Sequence, residues 1–217
     1  MSQGATTTTA TATAQRAAGA RAITIARTLG AGGEEVGRAV AERLGYRYVD
    51  EEIIGLAAEK AGVEPAEMAK VEGRRRLAER VARAMAIGGP VPFDGGAYAA
   101  LAINPRDGGF EGVIMDVVAE LAAAGRIVVV AHGGGKALGP QSGVLRCLIT
   151  APRAVRARRV TGGRAAVDAS DKARREFFHR FFEDAEHADD YDLVLSTEHL
   201  TVAQATDAVI CLAQTCR

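Results

Sequence analysis

Residues 27–37 read RTLGAGGEEVG, a glycine-rich loop directly after a short β-branched run and directly before a segment of helical period. Strand, glycine turn and helix start together make an anion site. The first N–H groups of a helix lack partners within it, and the helix dipole favours negative charge there. Gly30, Gly32 and Gly33 allow the turn and let a phosphate approach the backbone. The fully armed form of such a loop, GxxxxGK followed by Ser or Thr, puts Lys on the terminal phosphates and a hydroxyl on magnesium. Gly33 and Glu34 stand about there instead, and the nearest cation and hydroxyl, Arg27 and Thr28, precede the glycines.

Glu34 and Glu35 pull in two directions. Acids in a first helical turn stabilise the helix by roughly 0.3–1 kcal/mol each, and they also repel a phosphate. A well-capped helix without a ligand is therefore the competing reading. A dinucleotide site is another. Asp50 follows Gly30 by twenty residues, at the end of a second short strand, where a ribose-binding acid would stand. A GxGxxG frame beginning at Gly30, however, needs glycine where Glu35 is. A second glycine cluster, HGGGK over 132–136, offers His132 and Lys136 as substrate-binding candidates, with tight glycine packing as the alternative.

These residues need elements to hold them. ITIA (23–26), YRYVD (46–50), RIVVVA (126–131), LRCLITA (145–151) and YDLVLST (191–197) read as five short strands. Helical patterns fall between them: 34–45 with Gly45 as its stop, two stretches across 51–85, 113–125, a helix opened by Pro152, a long amphipathic helix over 169–187, and a closing helix from Val202. TGGRAAVD (161–168) reads as a break between two helices, and HGGGKALG as a loop. Gly and Pro crowd 87–109, which reads as a long loop. Strands alternating with helices predict an α/β fold: a five-stranded parallel sheet with helices on both faces and sites at the strand carboxyl ends. Phe177, Phe178, Phe181 and Phe182 at helical spacing read as core rather than as a base-stacking box.

The bulk numbers narrow the classes. The chain has 217 residues, 48% hydrophobic and 25% charged, with formal net charge zero. That suits one domain and gives no global pull towards nucleic acid or membrane. No apolar run reaches the roughly 18 residues of a membrane span. Three cysteines without metal-ligand spacing fit a reducing, cytoplasmic setting. Residues 1–21 are Ala/Thr-rich without large apolar side chains after Met1 and read as a disordered tail. The tail lacks the apolar centre of a secretory signal; its arginines and lack of acids resemble a transit peptide only weakly.

Taken together, ITIARTLGAGGEEVGRAVAERLGYRYVDEEIIGLAAEKAG resembles the start of the cytidylate kinase-like proteins. ARTLGAGGEEVG is similar to that branch's lysine-free loop, with Arg27 on its arginine and Gly30, Gly32, Gly33 and Gly37 on its glycines. RCLITAPRAVRARRV resembles the strand and helix leading into the lid, and DKARREFFHRFF the branch's Asp-x-x-Arg and aromatic pair through Asp171, Arg174, Phe177 and Phe178. The resemblance covers about 22–214. It departs at 131–133, where Ala-His-Gly replaces a frequent Gly-Arg-Gly and leaves the phosphate contact to Lys136 or lost.

The resemblance implies a P-loop, nucleoside monophosphate kinase-like fold with small lid and acceptor-binding lobes. It also implies ATP as phosphoryl donor, Mg²⁺ as cofactor and a small-molecule nucleotide as acceptor. Arg27, Arg156, Arg159 and Arg174 become the catalytic candidates, Arg156 and Arg159 through a shared i, i+3 face in the lid. Arg27, Thr28, Gly30, Gly32 and Gly33 would hold the nucleotide, and Asp50, His132 and Lys136 the acceptor, with a helix N-cap as the plainer role for Asp50. Magnesium has no obvious protein ligand beyond Thr28, water and nucleotide oxygens. A nucleotide-sensing module of the same fold with little turnover is the rival class. The sequence leaves the oligomeric state open.

Overall fold

The computed structural model describes residues 19–50 and 109–216. The helices expected across 51–85, most of the loop over 87–109 and the first eighteen residues of the tail lie outside the described residues. Gly19, Ala20 and Arg21, which the sequence assigns to the tail, pack onto the domain. The Ala20 N–H bonds the Ala213 carbonyl at 2.6 Å and the Tyr46 hydroxyl donates to the Ala20 carbonyl at 2.7 Å.

The five strands form where β-branched and apolar runs predict them. They are β1 (Ala22–Arg27), β2 (Arg47–Asp50), β3 (Ile127–Val130), β4 (Val144–Thr150) and β5 (Leu193–Ser196). Every pairing is parallel, and the order across the sheet is β2-β3-β1-β4-β5. The register sets Asp50 beside Val130, Val130 beside Ile25 and Arg27 beside Ile149. The carboxyl ends of β2, β3, β1 and β4 therefore form one edge, and both glycine clusters lie on it.

Alternation sorts β1 between two faces. Ile23 and Ile25 join one core with Val36 and Val40 of α1 (Gly33–Leu44) and Val209 and Ala213 of α6 (Val202–Thr215). Thr24 points the other way, towards Gly134 of α3 (Gly134–Leu138), on the face that α2 (Gly109–Ala124) also covers. Helix α1 ends as expected: Gly45 is left-handed at φ 63°, and its N–H turns back to the Ala41 and Glu42 carbonyls. Helix α6 opens on a capping box between Thr201 and Gln204.

Two local expectations are corrected. The break at 161–168 is much shorter: α4 (Arg153–Arg159) gives way to α5 (Gly163–Phe182) across only three residues. Gly162 takes a left-handed φ of 84° at the N-cap, so the glycine pair starts a helix rather than ending one, and the alanines after it continue. The same helix stops at Phe182, where Glu183 turns left-handed at φ 51°. The cluster at 133–135 is no open loop either. Gly133 caps and Gly134 and Gly135 begin the short α3, and tight packing applies at Gly133, where a side chain would sit 2.9 Å from Phe177 and 3.0 Å from Phe182.

Phe178 is 1% exposed, with the Phe182 ring 5.5 Å away and the Arg174 guanidinium 5.4 Å from its centroid. The core reading holds for it. Phe178→Ala should lower unfolding free energy by about 3–5 kcal/mol in a urea titration. The half-buried Phe181 should cost less when changed the same way.

Candidate functional site

The loop from Arg27 to Gly32 leaves β1 and turns into α1. Four of its carbonyls are taken up by donors from α4, α5 and the residue after β5, and one by an N–H of the loop itself. Arg27 O accepts from Arg174 Nη1 at 2.9 Å, and Thr28 O from the Ala31 N–H at 3.0 Å. Leu29 O lies 3.5 Å from Arg156 Nη1, Gly30 O 3.3 Å from Arg159 Nη1, and Ala31 O accepts from the Thr197 hydroxyl at 2.8 Å. Five successive carbonyls are thus committed to protein donors.

Gly30 is left-handed at φ 81° and so close to α4 that a Cβ would come within 2.8 Å of the Arg156 carbonyl. It serves the turn and the packing onto α4. Gly32 is left-handed at φ 80° and caps α1 without a side-chain acceptor. The N–H groups of the first turn, beginning at Gly33, therefore face no capping side chain. Gly33 also lets the Arg27 stem pass beneath the helix, since a Cβ there would lie 2.4 Å from Arg27 Cβ.

The arginines are themselves held. Arg156, 7% exposed in its side chain, is gripped by Asp171 through two bonds of 2.9 and 2.8 Å and donates to Ala151 O. Arg159 reaches the hydroxyl and carbonyl of Thr197 at 3.0 and 2.7 Å. Arg174 is buried against Glu186 in a two-pronged pair, with the Tyr191 hydroxyl beside it. Such pairing is what makes buried guanidinium groups tolerable.

Arg27 lies at the other side of the loop. Its Nε donates to Glu34 Oε1 at 2.7 Å, and its Nη1 meets His132 Nδ1 at 3.1 Å. The ends of β1 and β3 and the first turn of α1 are joined through this one side chain. Thr28 Oγ1 donates to Thr150 Oγ1 at 3.2 Å, linking the ends of β1 and β4. Asp50 is 8% exposed at the end of β2, with Arg38 at 3.8 Å. Beside it, burial and the Asp50 charge push the Tyr48 phenol up, and the Arg38 guanidinium lies 5.2 Å over its ring.

Lys136 is drawn elsewhere. It bonds Asp184 Oδ2 and Ala185 O at 2.9 Å each and Asp190 at 3.4 Å, tying α3 to the segment between α5 and β5. The hydrogen bond to Asp184 raises the Lys136 ammonium above its ordinary range, and Lys136 in turn holds the Asp184 carboxyl well below the usual carboxylate range.

Of the sequence candidates, then, Arg27, Thr28, Gly30, Gly32, Gly33, Arg156, Arg159 and Arg174 meet at one loop, and His132 joins them through Arg27. Asp50 stands further along the same edge, beyond β3. Sequence reasoning missed Thr197 and Glu186. Thr197 could be found as the hydroxyl ending the last strand; Glu186 carries no local signal. Among the described residues no group of three or more His, Cys, Asp or Glu side chains gathers to hold a metal. The carboxylate of Glu34 and the hydroxyl of Thr28 are hard oxygen donors beside the loop, which fits a hydrated Mg²⁺ that shares nucleotide oxygens.

The cytidylate kinase-like family model matches residues 22–199. The chain belongs to the cytidylate kinase-like family. An uncharacterized protein from Eubacterium ventriosum has a solved structure that aligns with 89% of this chain and 98% of its own, at 16% identity and a TM-score of 0.57. A shikimate kinase from Acinetobacter baumannii, in complex with shikimate, aligns with 90% of this chain and 92% of its own, at 13% identity and a TM-score of 0.42. No curated protein matches the chain. The cytidylate kinase-like domain here is a five-stranded parallel α/β fold whose first glycine loop has an arginine before it and no lysine within it. No helix among the described residues is long and apolar enough to cross a membrane.

The Lys136–Asp184 tie has a pH signature. Because the bond to Lys136 holds the folded carboxyl below the ordinary aspartate value of 3.8, its contribution is present above that value and fades as pH falls below it. Asp184→Asn should lower the urea midpoint at pH 7, and the gap from the parent should close as pH falls below about 4. A gap that persists unchanged at pH 3 would refute the assignment.

Proposed function

We propose that this cytidylate kinase-like protein is an ATP-dependent phosphotransferase that moves the ATP γ-phosphoryl group to a nucleoside monophosphate or a similar small acceptor. The observation that carries the reading is the loop itself. Its five carbonyls from 27 to 31 are committed to the protein, while the α1 first turn has no side-chain cap. A loop so arranged offers donors rather than acceptors to a ligand, and phosphate oxygens are acceptors only.

In this reading the loop N–H groups and Arg27 hold the donor phosphates, with Thr28 beside them. Mg²⁺, when bound with the nucleotide, supplies charge neutralisation at the phosphate oxygens. The acceptor sits along the strand edge by His132 and Asp50, with Lys136 fixing the α3 side of that edge. An acceptor oxygen forms its bond to the γ-phosphorus as the bond to the ADP oxygen breaks. Arg27 touches the transferring group and is catalytic. Arg156, Arg159 and Arg174 act as positioning residues through the carbonyls they bind. The family likeness supports ATP and Mg²⁺ in this reading, and the thiol content supports a cytoplasmic setting.

One observation favours a second reading, a nucleotide-binding sensor with little turnover. Arg156, Arg159 and Arg174 already bind protein groups, and Asp171 and Glu186 neutralise two of them.

Incubation with Mg-ATP and a panel of nucleoside monophosphates, read by chromatography, separates the two. A phosphotransferase yields ADP and one new phosphorylated product in equal amounts. Arg27→Ala should cut turnover by about 10³-fold or more. Absence of any product, with ATP still raising Tm, would replace this reading with the sensor.

A further inference from the structure

Glu34 is the odd group in a phosphate-binding loop. It sits in the first turn of α1, where a carboxylate opposes an incoming phosphate, and its side chain is 39% exposed. Oε1 accepts from Arg27 Nε at 2.7 Å; among the described residues no bond is made by Oε2. The Arg27 stem is trapped under Gly33, and its far nitrogen is at His132. Glu34 is therefore fixed at the mouth of the loop by one oxygen and offers the other.

A pair of this kind solves two problems at once if a divalent cation comes with the phosphate. A hard cation takes carboxylate and phosphate oxygens together and keeps several waters, so it turns repulsion between the two anions into a bridge. In a lysine-bearing loop the ammonium meets the phosphates and a hydroxyl meets the metal. Here the cationic group is Arg27, from the strand end, and the oxygen donor is Glu34, one position after the lysine-less glycine.

We infer that Glu34 Oε2 is a direct ligand of a divalent cation that enters with the nucleotide, and that Arg27 holds this carboxylate in place while its guanidinium meets the phosphates. The inference rests on the phosphate-binding reading of the loop and adds a metal ligand to it. It makes nucleotide binding obligatorily cation-coupled: without the cation, Glu34 opposes the phosphates it otherwise helps to hold.

The test is calorimetric titration with a non-hydrolysable ATP analogue, in excess MgCl2 and in EDTA, on the parent, Glu34→Gln and Glu35→Gln. Glu34→Gln should move the two affinities in opposite directions. Binding in EDTA should tighten by about tenfold as a like charge is lost. Binding with Mg²⁺ should weaken by about tenfold as a ligand is lost. Glu35→Gln should leave the ratio of the two affinities near that of the parent. Tighter binding of Glu34→Gln under both conditions would mean that Glu34 only repels, and would overturn the inference while leaving the phosphate site standing. Unchanged affinities would overturn it as well. An absence of binding by the parent in either buffer would overturn the phosphate-binding reading and this inference with it.

Discussion

A short loop at a strand end exposes both N–H and C=O groups, and its chemistry depends on which set the protein satisfies. In this chain the donors for four of the five carbonyls come from three places far along the sequence: α4, α5 and the residue after β5. Arg174, Arg156, Arg159 and Thr197 each reach a carbonyl of the loop, and the Ala31 N–H takes the one between. Remove these donors and the loop loses its reason to face one way. The positions of α4, α5 and β5 are thus part of the site, although no phosphate contact need come from them.

This arrangement sets requirements that spread outwards. The two buried guanidinium groups near the sheet edge, Arg156 and Arg174, have to be neutralised or they would cost several kcal/mol to bury. Asp171 meets Arg156 fifteen residues away, and Glu186 meets Arg174 twelve residues away. The Arg156 pair binds α4 to α5, which explains why the two helices form a tight hairpin across Val160 and Gly162. The Glu186 pair holds the chain leaving α5, and Lys136 holds its neighbour Asp184. Gly30 and Gly33 are the counterpart on the loop side: one accepts the approach of α4, the other the stem of Arg27.

Much of this was legible in the sequence, and for identifiable reasons. Strands such as RIVVVA and ITIA are β-branched runs with a glycine cluster soon after, and their composition predicts burial on both faces in a parallel sheet. Gly45 marked its helix end, and the loop glycines marked theirs. Local rules failed where a distant contact decided the outcome. The Gly162–Gly163 pair reads as a break until the next alanines are seen to continue the helix. HGGGK reads as a loop, with tight glycine packing as the alternative, because nothing nearby announces that Phe177 and Phe182 press on Gly133. The arginines were visible as chemistry, but a sequence gives no direction for a side chain. Whether Arg156 points at a ligand or at Leu29 O depends on Asp171 and on the crossing of α4 over the loop.

The central claim is that the carbonyls of the loop are held by the protein so that its amides serve a phosphate. Amide chemical shifts report this directly. A ¹⁵N-labelled sample titrated with inorganic phosphate should show its largest downfield proton shifts at Gly32, Gly33, Glu34 and Glu35, with Ala31 moving little because its N–H already bonds Thr28 O. If those four amides stay in place at saturating phosphate, or if Ala31 moves most, the loop is only the start of a helix and the account fails.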